Sequence, residues 1–169
     1  MVEFSLILPF LVTVSLGIYE TTNYILLSAK LNEIASGIAN WVGAQTNTAN
    51  ITDCLIGANL MGTNYNFATK GTVMVTGLQQ VGVTNNQKLV WQQGSVGASS
   101  KITTNPGTGQ VQSTPFTLLL NSNVIVVEVS YDYQPLFSYF LSIFPSVKLS
   151  KVAQSVPRGS GVFSPLPAN

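Results

Sequence analysis

The sequence predicts an α+β protein in which a long N-terminal helix packs on an antiparallel β-sheet. No charged residue lies between Glu3 and Glu20, and apolar residues then recur at helical spacing as far as Trp41. Further along the chain, short runs rich in valine, isoleucine and tyrosine are separated by turns containing glycine and asparagine. We therefore expect a protruding helix over residues 1–42 and a β-rich globular head over residues 43–169.

The first half of this helix has the length and composition of a membrane span. The run from Glu3 to Glu20 reads EFSLILPFLVTVSLGIYE, and a helix that rises about 1.5 Å per residue needs roughly 20 residues to cross the hydrocarbon core. Pro9 falls in the first turns, where a missing N–H is best tolerated. Gly17 would let neighbouring helices approach closely, or is ordinary variation within a single anchor. Nothing basic precedes Lys30, unlike a secretory signal, so we expect the mature chain to keep this helix; a trimmed N-terminus is the alternative.

Glu3 needs compensation in apolar surroundings, because a charged side chain at mid-bilayer costs about 2.5 to 3.5 kcal/mol. Three interpretations are open. The carboxylate is solvated at the membrane interface, or it is neutral and incidental, or it meets a cation when helices assemble. We favour the third, in which Glu3 sets the register between subunits.

The second half of the helix is amphipathic. Its apolar residues recur on one face that we expect to pack on the head, namely Leu27, Leu31, Ile34, Ile38 and Trp41. A helix of roughly 38 residues is about 57 Å long and must protrude from a head of this size. Gly43 is predicted to end it as a C-terminal cap. After a polar linker, Asn50 is a predicted N-cap for a short helix near residues 51–61.

The rest of the chain reads as strands over residues 72–76, 88–92, 124–133 and 146–156. In the third of these, alternation places Glu128 and Asp132 on one face, which we expect to be solvated. Residues 136–144 are strongly apolar and are either core or an exposed patch for a partner subunit. We favour the patch.

Composition argues against several functions. Only 8% of the residues are charged and 46% are hydrophobic, which suits a surface covered by neighbours or exposed outside the cell, or simply an exported protein. The net charge is +1 with no basic cluster, so nucleic-acid binding lacks its electrostatic footprint. There is no histidine, and the single cysteine, Cys54, is expected to be a small buried apolar residue. We expect no catalytic activity, no metal and no cofactor.

The opening of the chain resembles a known family. Glu3-Phe4, then Pro9, then Gly17-Ile18-Tyr19-Glu20, all within a run rich in Leu, Ile and Val, resemble the start of the TadE-like pseudopilins of the tight-adherence pilus system, which are related to type IV pilins. The C-terminal half is similar too, with VIVVEVSYDYQPLF followed by a last strand that ends in Pro157-Arg158. Two features differ from the family pattern. The acid stands two residues closer to the start, and residues 159–169 extend past the usual ending.

The resemblance implies a pilin-like fold and a structural subunit of a pilus filament. Its assembly residues would be Glu3, Phe4, Pro9, Gly17 and Glu20. Its partners would be copies of itself, other pilus subunits and the inner-membrane assembly machinery, and its location the inner membrane before assembly and then an extracellular adhesion filament on the bacterial surface. One alternative is a minor pseudopilin that primes assembly at the inner membrane. Another is a membrane-tethered extracytoplasmic binding module.

Overall fold

The computed structural model describes residues 2–44, 51–80, 87–105, 110–111, 123–135 and 146–158, with side chains from Ile7 in the first helix and from Thr52 in the second. The helices are α1 (Val2–Ala44), α2 (Ile51–Met61) and α3 (Phe67–Lys70), with a 3-10 turn at Thr63–Tyr65. The strands are β1 (Gly71–Gln80), β2 (Gln87–Gly94), β3 (Asn123–Tyr133) and β4 (Val147–Ser155). A long N-terminal helix with a four-stranded antiparallel sheet confirms the α+β class.

The sheet has the strand order β2-β1-β3-β4, and each neighbouring pair is antiparallel. Val75 of β1 pairs with Val127 of β3, and Tyr131 of β3 pairs with Leu149 of β4. The register between β1 and β2 shifts after Gly77. An inner place suits β3, because it carries the longest run of β-branched residues and is buried from Val124 to Tyr131.

Both faces of β3 are covered. The odd-numbered residues from Ile125 to Tyr131 belong to the main core, which also contains the buried side chains of α1. Val124 and Val126 point to the other face, where they pack with Leu78 and Ile102 in a second apolar cluster. Residues 98–105 therefore lie across the sheet face opposite α1.

The expectation that Glu128 lies on a solvated strand face is wrong. Its side chain is only 3% exposed, whereas Asp132 on the same strand face is exposed. The Glu128 carboxylate accepts hydrogen bonds from the Ser100 hydroxyl and from the Lys101 backbone N–H, the latter at 2.9 Å. Glu128 thus holds residues 98–105, which we call the covering segment, against the centre of the sheet. The alternation of residues within one strand cannot predict this contact.

Helix α1 packs on β3 and β4 through the predicted stripe, with one exception. Leu27, Leu31, Ile34 and Ile38 are buried, as expected. Trp41 is 39% exposed, and Val42 occupies the next buried position instead. The reason is helical phase, because Ala35 and Ala39 are also buried and Val42 lies nearer than Trp41 to the middle of this buried face.

Gly43 does not terminate α1 as predicted, because the helix continues to Ala44 and Gly43 lies in its last turn. A Cβ at Gly43 would come within 2.5 Å of the Ser155 Oγ, so the missing side chain lets the helix approach the end of β4. The Arg158 N–H donates to the Gly43 carbonyl at 2.9 Å. That bond satisfies one of the carbonyls that a helix end leaves without a partner.

Some of the remaining sequence predictions concern described residues, and others concern residues that the structure does not describe. Cys54 on α2 is 2% exposed, in agreement with its expected role as a buried apolar residue. Burial, with a smaller contribution from the charge of Asp53, raises the pKa of the Cys54 thiol to about 12. The predicted cap at Asn50, the apolar stretch 136–144 and the tail 159–169 lie outside the described residues.

Candidate assembly surface

The N-terminal half of α1 carries a large apolar surface. We call residues 7–19 the apolar segment. Its exposed large hydrophobic side chains are 42% to 70% exposed and lie on every side of the helix, namely Ile7, Leu8, Phe10, Leu11, Val12, Val14, Ile18 and Tyr19. At about half of a side-chain surface each, they present roughly 800 Å² of apolar surface, more than the 300 to 600 Å² of the largest patch on a typical soluble monomer.

The polar groups of this region are satisfied within the helix itself. The hydroxyls of Thr13 and Ser15 donate to the carbonyls of Pro9 and Leu11, each at 2.8 Å. Thr21 and Thr22 make the same contact one turn back, also at 2.8 Å. Hydroxyls that bond to their own helix need no water, so they suit a helix surrounded by lipid or by other helices.

By length and composition, one helix among the described residues is suited to crossing a membrane, and the qualifying region is Ile7–Ala44. The head leaves uncovered the apolar segment and, beyond Glu20, the side chains of Tyr24, Ile25 and Leu26, since the buried stripe begins at Leu27. The observed α1 has 43 residues and is therefore about 65 Å long. At this length α1 is long enough to cross a membrane and still pack on the sheet.

Glu20 marks the place where α1 meets the head. Its side chain is 6% exposed, and it is the first buried side chain after residue 6. It forms a hydrogen bond with the Tyr133 hydroxyl at the end of β3. Burial, and then this bond and the nearby Glu20 charge, raise the pKa of Tyr133 to about 12. The Tyr133 ring also meets the Tyr24 ring edge-on, with centroids 5.8 Å apart.

The sequence-predicted assembly residues are spread along α1 and do not form a cluster. Glu3 and Phe4 lie in the first turn of the helix, and their side chains are outside the described part of the chain. Pro9 is exposed without interrupting the helix, and Gly17 has open space around the position of a Cβ. Glu20 faces its own head, where its hydrogen bond to Tyr133 positions α1 against the sheet.

Sequence reasoning missed Tyr133 as the partner of Glu20. The two residues are far apart in sequence, and a tyrosine at the end of a β-rich run carries no signal for a carboxylate partner. Among the described residues, no group of three or more His, Cys, Asp or Glu side chains is placed to hold a metal ion. In the part of the chain that the structure describes, this surface offers apolar side chains, with the Glu20–Tyr133 pair at its inner end.

Comparisons with protein-family models, with curated protein sequences and with solved structures give no significant match to this chain.

Proposed function

We propose that this chain is a pilin-like structural subunit of an extracellular filament of the type IV-like, tight-adherence kind. The observation that carries the proposal is the apolar segment, which exposes large hydrophobic side chains around a helix whose second half is anchored in a folded head. Such a segment needs a membrane around it before assembly and other copies of the helix after it. The sequence resemblance supports the same assignment.

Hydrophobic burial would dominate the energetics of this filament. At about 25 cal/mol per Å², covering roughly 800 Å² of apolar surface is favourable by about 20 kcal/mol before the cost of association is subtracted. The ion pair between Lys30 and Glu33, at 2.9 Å on the surface of α1, is worth less than about 1 kcal/mol. Packed helices would therefore hold the fibre together, and polar groups would set its geometry.

Two carboxylates would have separate roles. Glu3, at the start of α1, would meet a cation of a neighbouring subunit, such as its terminal amine, and so set the register. Glu20 would act within its own chain, where its bond to Tyr133 fixes the direction in which the apolar segment leaves the head. Substituting Glu3 is then expected to impair assembly without unfolding the head.

The test is to shear filaments from the cell surface, identify their protein by mass spectrometry and label them with gold-conjugated antibody. Labelling along the whole fibre supports a repeating subunit. Label confined to fibre tips, or a chain that stays in the inner membrane, contradicts it and favours a minor pseudopilin that primes assembly.

A membrane-tethered binding module is the competing function, because a single spanning helix also suits a tether. The substitution Glu3→Ala separates the two. A tether keeps its location and its binding activity without this acid, whereas a pilin loses filaments. Glu3→Gln is the matched control, since it tests whether charge or hydrogen bonding at this position matters.

A further inference from the structure

Helix α2 has two apolar faces, and only one of them is covered. Cys54 and Ala58 are buried against the core. Ile56 and Leu60, one turn apart on another face, are 52% and 73% exposed. A surface helix of a monomer ordinarily has one apolar stripe, so the second face requires an explanation.

This second face borders a cavity between α1 and α2. The cavity has a volume of about 270 Å³, and its lining is almost entirely apolar, including Gly37, Ile38, Trp41, Ile56, Gly57 and Leu60. We call it the α1–α2 pocket. Gly37 helps to form it, because a Cβ there would come within 3.0 Å of the Met61 methyl group. An apolar cavity of about 150 Å³ already holds a benzene ring, so this pocket has room for a phenyl side chain.

We infer that the α1–α2 pocket receives a side chain from the apolar segment of a second copy of this chain, and that Phe10 is the residue that enters it. The inference rests on the proposed filament function and specifies one of its contacts. Phe10 is 70% exposed, the highest fraction among the large hydrophobic residues of the segment. A buried aromatic side chain in a fitted pocket is the usual form of an interface anchor.

Charge and area support a second copy as the occupant. The apolar segment contains no charged residue, and among the described residues Asp53 is the one charged residue that lines the pocket, so docking leaves few charges to be desolvated. The roughly 800 Å² that the segment exposes is about one side of a standard protein interface, so second copies that cover it with their helices and heads together bury enough area for a stable contact. Its apolar side chains also point in all directions, so contact with other N-terminal helices on one side leaves another side for a head.

The contact is of the kind that builds fibres. Pocket and apolar segment are different surfaces of one chain, so each copy can fill one neighbour's pocket and offer its own pocket to another. Such a head-to-tail contact between unlike surfaces continues indefinitely when its rotation does not close a ring. Phe10 and Trp41 are roughly 46 Å apart along α1, so parallel subunits joined this way are offset by about that distance along the fibre.

The first experiment fills the pocket. Gly57 lines the pocket and a Cβ there meets no atom within 4 Å, so a tryptophan at this position starts in open space and is large enough to fill the pocket. We expect Gly57→Trp to reduce the yield of sheared filaments by roughly tenfold or more, as loss of an anchor does. Gly57→Ala, which leaves the pocket open, should assemble normally. Normal filaments from a Gly57→Trp chain that reaches the membrane in normal amount overturn the inference.

The second experiment detects the contact directly and does not depend on a substitution that fills the pocket. A photo-cross-linking amino acid replaces Leu60 at the pocket rim, and assembled filaments are irradiated. We expect cross-linked peptides from residues 7–19 of another copy, and none of these from a control probe at Lys88, which is exposed on β2. Cross-links from Leu60 to head residues, to lipid or to a different protein overturn the inference. The proposed function fails separately, if filaments contain none of this chain.

Discussion

The Tyr133 hydroxyl and the Glu20 carboxylate are hydrogen-bonded at the point where α1 leaves the sheet. This pair joins the end of the inner strand β3 to the first buried position of the helix after residue 6. On the N-terminal side of Glu20 lies the exposed apolar segment, and on the C-terminal side the helix is anchored in the core. The pair therefore stands at the boundary between the head and the surface proposed for assembly.

The first prediction concerns alkaline pH. The pKa of Tyr133 is raised from its usual 10.0 to about 12, chiefly by burial and then by Glu20, so the folded chain holds this proton more tightly than the unfolded chain. The stabilisation is complete below pH 10 and is lost as pH rises towards 12. We expect a chain in detergent to lose folding stability over this range, measured by denaturant unfolding with tyrosinate absorbance as a parallel signal.

Tyr133→Phe is the control for this prediction, because it keeps the ring beside Tyr24 and removes the proton. Tyr131, whose pKa is also raised by burial, stays in both chains and supplies a common background. The alkaline loss of stability should be smaller in Tyr133→Phe than in the unchanged chain. Equal losses in the two proteins would show that Tyr133 does not contribute.

Much of the fold follows from local pattern. The spacing of Leu27, Leu31, Ile34 and Ile38 is enough to place the buried face of α1, because helical period alone decides which residues share a face. The strand β3 is recognisable from its β-branched residues for a similar reason. The exposed character of the apolar segment likewise follows from a run without charges.

The sequence predictions that were wrong concern residues whose roles depend on contacts between distant parts of the chain. Burial of Glu128 requires residues 98–105 to cross the sheet, and nothing within β3 encodes that crossing. Gly43 has the composition of a helix cap, but the close approach of Ser155 determines its role. The uncovered face of α2 could not be predicted for another reason. In the sequence Ile56 and Leu60 have the composition of core residues, and only the structure shows that they are exposed.

The second prediction tests the contact of Glu128 with the covering segment. Glu128→Ala removes a carboxylate that accepts two hydrogen bonds, and we expect it to lower the free energy of unfolding by about 1.5 to 3 kcal/mol. Hydrogen exchange at the Lys101 amide should become faster. Glu128→Gln keeps an acceptor for that amide and should cost less. An alanine variant with unchanged stability and exchange would refute this role.

The third prediction contrasts two glycines. A Cβ at Gly77 would lie within 2.5 Å of the Trp91 indole nitrogen, so Gly77→Ala overpacks the sheet and should destabilise the chain by about 1 to 3 kcal/mol. Gly57→Ala meets open space inside α2 and should stabilise it by about 0.5 to 1 kcal/mol. Thermal unfolding measures both. Trp91, which is 5% exposed, should also change its fluorescence in the Gly77 variant only. Shifts of the same sign in the two variants would count against this packing argument.

The fourth prediction places a charge in the apolar segment. Leu11 is 53% exposed in a region that needs apolar cover, and an acid there costs about 2.5 to 3.5 kcal/mol in a bilayer. We expect Leu11→Asp to shift the chain out of the membrane fraction after carbonate extraction, by a factor on the order of a hundred in partitioning. Leu11→Ile controls for shape, and Asn64→Asp places the same charge on an exposed position of the head. Both controls should stay in the membrane. If Leu11→Asp stays in the membrane fraction as well, the apolar segment is not in contact with lipid. Only other protein surfaces would then cover it.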